Sequence, residues 1–186
     1  MVYKTIISVD DLKNNLNNDD FLIFDSRCDI KDSGYGIDSY TEGHIPNSIF
    51  VDVDTDLASE KRPGTGRHPL PDPNTFSEKL SHWGMSNNKQ VVVYDDAGGA
   101  FAGRLWWMLK WLGHEAVAVL DGGLNSWVKG GNKLVTTPTV FEKAHFEPRV
   151  QENMIATVED VEEAQFKMNT ILLDARSKER YQGIND

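Results

Sequence analysis

The sequence predicts an α/β fold: an open, largely parallel sheet flanked by helices. Three observations carry the prediction. Short apolar runs of strand length, at residues 21–24, 91–94 and 116–120, alternate with segments of helical period. Val91-Val92-Val93 is β-branched throughout, as in a strand covered on both faces. Between the second and third runs the glycine-containing stretch Asp95-Asp96-Ala97-Gly98-Gly99 gives way, near Phe101, to helical spacing that ends at Gly113. In such sheets ligands sit at the carboxyl ends of strands, beside helix N-termini whose free amides attract anions.

Ser8 caps a first short helix, with Asp11 in its first turn. Phe21-Leu22-Ile23-Phe24 is a buried strand that delivers Asp25-Ser26-Arg27-Cys28 to its carboxyl end. A polar, glycine-containing loop leads to Tyr40-Thr41-Glu42-Gly43-His44-Ile45-Pro46, and Ile49-Phe50-Val51 is a short strand. Residues 56–73 contain four prolines and two glycines and form a long surface loop. Thr75-Phe76-Ser77-Glu78 has the pattern of a capping box, opening a helix with Phe76, Leu80 and Trp83 on one face and a stop at Gly84. After the third apolar run, Asp121-Gly122-Gly123 turns into a helix carrying Leu124, Trp127 and Val128. This first domain covers residues 1–130. Residues 131–150 show neither period and form a linker, kept docked by Phe141 and Phe146.

The start of the chain then repeats. Thr157-Val158-Glu159-Asp160-Val161 echoes Ser8-Val9-Asp10-Asp11-Leu12, and Ile171-Leu172-Leu173-Asp174-Ala175-Arg176 echoes Leu22-Ile23-Phe24-Asp25-Ser26-Arg27. Position 157 against 8 and position 174 against 25 give the same offset, 149 residues. A constant offset predicts a duplicated domain whose second copy, residues 151–186, is only its first helix–strand unit. Such a piece cannot bury its own apolar face, so it is expected to be disordered without support and to belong to a longer protein.

Composition narrows the function. The net charge of -10 argues against a nucleic-acid or anionic-membrane surface, and no apolar run approaches the ~18 residues of a membrane span. A single cysteine excludes an internal disulfide and a cysteine-built metal site, which fits a reducing, cytoplasmic setting.

Four segments in order, residues 40–46, the strand Val91-Val92-Val93-Tyr94-Asp95, the helix with Trp106-Trp107-Met108-Leu109, and Leu120-Asp121-Gly122-Gly123-Leu124-Asn125-Ser126-Trp127, resemble the rhodanese family. The closest similarity is to its two-domain sulfurtransferases, which act on thiosulfate or 3-mercaptopyruvate. One departure is Asn47-Ser48, where the family usually has Gly-Ala after His-Ile-Pro. The resemblance implies a cysteine persulfide formed in a loop of backbone amides directly after the strand matching residues 91–94. A thiolate is needed there, and inward-pointing amides lower the thiol pKa and hold the anionic donor. Asp95 stands at that position. A carboxylate is a poor nucleophile towards sulfur and repels thiosulfate, so no catalytic residue is expected in this copy. The offset puts the matching residue of the second copy near ~244, beyond Asp186.

The same resemblance assigns Arg180 to the substrate anion, a task that suits a planar, permanently charged fork. Arg176, whose counterpart Arg27 occurs in the first copy too, is expected to be structural, holding Asp174 or a neighbouring backbone group. The partners implied are a small anionic sulfur donor and a thiophilic acceptor, cyanide or a thiol, with no cofactor and no metal. The alternative is a non-catalytic rhodanese-like binding or regulatory module. Phosphatase or arsenate reductase chemistry on this fold also needs a loop cysteine.

The remaining candidates have plainer readings. Cys28 follows a strand end beside Arg27, which could favour its thiolate, but no base or amide cradle accompanies it; it is read as incidental. His44, His68, His82, His114 and His145 lack ligand spacing, and His44 is expected to fix the turn around Gly43. Trp106, Trp107 and Trp111 read as packing. Lys61, Arg62 and Arg67 belong to a solvated loop.

Overall fold

The computed structural model describes residues 2–184, in two compact units, Met1–Gln151 and Glu152–Asp186. The first unit is built on a five-stranded sheet: β1 (Ile6–Ile7), β2 (Phe21–Asp25), β3 (Ser48–Phe50), β4 (Gln90–Tyr94) and β5 (Val117–Leu120). The strand order is β1-β5-β4-β2-β3, and every neighbouring pair is parallel. Its helices are α1 (Val9–Asn14), α2 (Tyr35–Glu42), α3 (Pro73–His82), α4 (Ala102–Trp111) and α5 (Gly123–Lys129). β4 lies in the middle, and all five of its residues are buried. Strand alternation gives Val92 and Tyr94 to one layer, where they meet Ile23, Ala118, Leu12, Leu124 and Trp127. α4 packs on β4 and β5, and Trp83 sets its ring edge-to-face against Phe24 at 5.7 Å.

The predicted α/β sheet and its principal strands are present, and the structure corrects the sequence reading in several places. β1 is only two residues long, too short to show a period, and exists because Val119 and Asp121 donate backbone hydrogen bonds to Thr5 and Ile7. α2 occupies what reads as a polar loop. Its N-cap is Gly34, without a side-chain cap, and a Cβ at Gly36 would come within 2.4 Å of the Arg27 carbonyl oxygen. The glycine that weakens the helical signal is what lets α2 sit against the end of β2. α3 starts earlier than the Thr75 box implies. Asp72 is the cap, accepting from the Asn74 and Thr75 amides, and Pro73 takes the first helical position, where its missing N–H costs nothing.

The Asn47-Ser48 departure has a local account. Asn47 has φ 64°, the only non-glycine residue with positive φ among those described, and asparagine is one of the few residues that tolerate this. Its amide also donates to the Leu16 carbonyl at 2.6 Å.

Residues 131–151 are fastened along the first unit. Val135 and His44 exchange backbone hydrogen bonds, and Ala144 and Phe146 donate to the carbonyl and hydroxyl of Ser81. Glu147 pairs with the Asn87 side chain, and Arg149 and Gln151 donate to Leu112 and Trp111 carbonyls. Phe146 is buried and Phe141 half-buried.

The second unit contains a 3-10 turn (Glu152–Met154), α6 (Val158–Ala164) and α7 (Lys178–Tyr181). Thr157 and Asp160 form a reciprocal capping box, matching Ser8 capping Asp11. Ile171-Leu172-Leu173 is not a strand, contrary to the sequence reading, and Ile171 and Leu173 are 82% and 90% exposed. Its counterpart β2 is held between β3 and β4, and no neighbouring strand lies beside 171–173 among the described residues.

Candidate functional site at the carboxyl end of the central strand

Asp95 follows β4 directly and is 1% exposed. The loop after it folds back over its side chain. One carboxylate oxygen, Oδ1, accepts from the amides of Ala97 (3.0 Å) and Gly99 (2.8 Å). The other, Oδ2, accepts from Phe101 (2.8 Å) and Ala102 (2.9 Å), at the start of α4. Four main-chain donors thus converge on one anion, at the N-terminus of a helix whose dipole favours negative charge. The main chain of Asp95 is held as well: its carbonyl accepts from Leu124 at 2.8 Å. Gly123, at φ 57°, admits this contact, because a Cβ there would lie 2.2 Å from that carbonyl oxygen.

The neighbouring residue ties the loop to two helices. Asp96 accepts a short hydrogen bond from the Tyr35 hydroxyl on α2, and its carbonyl accepts from Asn125 on α5. The hydrogen bond to Asp96, with partial burial adding to it, raises the Tyr35 pKa, so the hydroxyl stays a donor.

Behind the loop lies a buried polar network. Arg27 and Asp25 form a fork of Nε and Nη2 hydrogen bonds, the shortest 2.7 Å, and Arg27 also donates to the Gly43 carbonyl at 2.8 Å. Tyr94 donates to Asp25 at 2.7 Å while accepting from the Ile45 amide at 3.1 Å. Burial first, and the Asp25 carboxylate second, push the Tyr94 phenol well above its ordinary pKa and keep it protonated. Arg104 is committed too, its guanidinium donating to the Leu57 and His68 carbonyls and pinning the loop that precedes α3.

Cys28 is half-buried, and the expected help from Arg27 is missing because that guanidinium serves Asp25 and Gly43. Burial, followed by the carboxylates of Asp54, Asp52 and Asp29, raises the Cys28 pKa against the opposing charge of Arg67. The site chemistry a sulfur acceptor needs, a stabilised thiolate, is therefore disfavoured there. His44 bridges the Tyr40 and Thr137 carbonyls and stacks on Tyr40 at 3.8 Å, which fixes the turn as the sequence suggested. Among the described residues no group of three or more His, Cys, Asp and Glu side chains is arranged to hold a metal ion.

In the second unit Arg176 grips Asp174 with the same fork, Nη2 to Oδ2 at 2.6 Å. Arg180 lies on α7, exposed, its amide bonded to the Ser177 hydroxyl at 3.4 Å. The sequence reading finds Asp95 and names Asp174 as one of two partners for Arg176; the Arg27–Asp25 fork comes from the structure. It misses the Tyr94–Asp25 and Tyr35–Asp96 bonds, which join residues far apart in the chain. A small, open pocket of about 140 Å³ lies beside the loop, lined by Gly98, Gly99, Val119 and Gly122 among others.

A parallel sheet with an amide-lined loop at the end of its central strand defines the class, and residues 8–130 match the rhodanese-like domain. The chain belongs to that family. It is 37% identical over 180 residues to a probable 3-mercaptopyruvate sulfurtransferase of Pseudomonas aeruginosa, covering 96% of this chain and 63% of that protein. It is 34% identical over 148 residues to the thiosulfate sulfurtransferase of Rattus norvegicus, covering 77% of this chain and 48% of the relative. The structure of 3-mercaptopyruvate sulfurtransferase from Leishmania major superposes with a TM-score of 0.83 at 29% identity, over 96% of this chain and 48% of that one. The chain thus spans roughly half to two thirds of the length of these relatives.

Proposed function

We propose that this chain is the non-catalytic copy, residues 1–130, the connecting segment 131–150 and the opening, 151–186, of the catalytic copy of a two-domain sulfurtransferase. The whole protein moves a sulfur atom from thiosulfate or 3-mercaptopyruvate to a thiophilic acceptor, cyanide or a thiol, by way of a cysteine persulfide outside residues 1–186. The observation that carries this reading is the Asp95 carboxylate filling the four amides where a thiolate would stand. The repeat at 149 residues, with the same capped helix and the same Asp–Arg fork in both copies, supports the tandem arrangement. The relatives' names supply the donors. The sole cysteine and the absence, among the described residues, of a helix long and apolar enough to cross a membrane are consistent with a cytoplasmic protein, which is our assignment.

In this reading the cysteine thiolate attacks the outer sulfur of thiosulfate, breaking its S–S bond and expelling sulfite. With 3-mercaptopyruvate it attacks the thiol sulfur, breaking the C–S bond and releasing pyruvate after protonation. The acceptor then takes the outer sulfur of the persulfide and returns the thiolate. Arg180 holds the donor's anionic end. The test is cyanide-dependent thiocyanate formation by the full-length protein. Turnover is expected, with Arg180→Ala raising KM for thiosulfate roughly tenfold or more through loss of a charge-assisted hydrogen bond. A folded full-length protein that releases no thiocyanate from either donor would favour the non-catalytic binding module instead.

A further inference from the structure

The main-chain donors of the loop at 95–102 are not idle. All four amides aimed at the strand end meet a charge, and that charge belongs to the chain itself. Main-chain bonds hold the ends of the loop, Leu124 to the Asp95 carbonyl and Gly103 and Arg104 to those of Gly99 and Phe101, but none of them uses the four amides that point at the carboxylate. Gly98 and Gly99 sit at φ 70° and 90°, Ala97, Gly98 and Ala100 are exposed, and a loop of this kind relaxes unless something holds its N–H groups inward. The two carboxylate oxygens divide the work evenly, two donors each, and Asp95 is buried beneath them.

We infer that Asp95 is an intramolecular ligand: its carboxylate occupies an oxyanion site and is what keeps the loop folded inward. The ligand is tethered to the loop that it holds, which makes the loop a fixed part of the scaffold. Tyr35 and Asn125, which hold Asp96, tie α2 and α5 to the same loop. This goes beyond the sulfurtransferase reading and does not depend on it, since it concerns residues 95–102 alone.

If the carboxylate is the ligand, a free carboxylate should replace it. Asp95→Ala removes the equivalent of one formate ion. Amide hydrogen exchange read by NMR should show Ala97, Gly99, Phe101 and Ala102 protected in the native chain and exchanging roughly tenfold or more faster in the variant. Formate should restore protection at those four positions in a saturable way, and chloride at the same ionic strength should not. Restoration by both salts alike, or by neither, would overturn the inference, as would unchanged protection in the variant. Asp95→Asn keeps the test alive if the alanine variant does not fold. An amide has one acceptor oxygen, so one pair of donors, Ala97 with Gly99 or Phe101 with Ala102, keeps its protection and the other pair loses it. Loss or retention of all four together would contradict the inference.

Discussion

The two Asp–Arg forks carry the same bonds in opposite surroundings. In both copies the arginine's amide, Nε and Nη2 all reach back to the aspartate two residues earlier. In the first copy the side chains are 0% and 5% exposed, and the pair is joined by Tyr94 and the Gly43 carbonyl; in the second they are 29% and 50% exposed. The fork is therefore a local property of the Asp-x-Arg sequence, formed with or without a core around it. What the core adds is consequence. A buried ion pair that loses a partner leaves an uncompensated charge, whereas an exposed pair gives its partners back to water.

The strongest way to break the comparison is to remove the acid in each copy. Asp25→Ala is expected to destabilise the first unit by about 3–5 kcal/mol, read as a lower urea midpoint with an unchanged slope. Asp174→Ala should leave the midpoint of that same transition where it was. Equal shifts would mean that burial does not distinguish the forks. A smaller effect comes from Tyr94→Phe, which keeps the ring and removes the hydroxyl between Asp25 and Ile45. It should cost about 1–2 kcal/mol, because the buried Ile45 amide then lacks its acceptor.

The smallest effect is a titration. The Arg176 side chain and amide hydrogen-bond Asp174 and lower its pKa from 3.8 to about 2. The sign follows from linkage: a carboxylate with a depressed folded pKa favours the ordered fork above the unfolded value, and loses that contribution as the pH falls through the folded one. The fork should therefore be intact above about pH 4 and gone below about pH 2, in the window that these two values set. Following the Asp174 carboxyl carbon by NMR checks this, and Arg176→Ala should return the midpoint towards the ordinary value.

Much of this was legible from sequence because it rests on local pattern. The strands at 21–25, 90–94 and 117–120 are apolar runs, the Ser8 cap and the Arg176–Asp174 pair involve residues within three of each other, and Asp95 declares itself by following the central strand. What escaped the sequence is long-range or depends on a neighbour. β1 is two residues that only β5 makes into a strand, and α2 hides behind Gly36. The Tyr94–Asp25 bond spans 69 positions and Tyr35–Asp96 spans 61. Ile171-Leu172-Leu173 shows the converse: strand-like composition does not make a strand without something to pair with.

The central claim, that residues 1–186 hold no sulfur-accepting group, is tested most directly by mass. The chain has one cysteine, so any persulfide must sit on Cys28. Incubated with thiosulfate, and separately with 3-mercaptopyruvate, the chain of residues 1–186 should keep its original mass, because burial and nearby carboxylates raise the Cys28 pKa and disfavour its thiolate. A stable gain of one sulfur atom, removed by cyanide and absent in Cys28→Ser, would contradict the account.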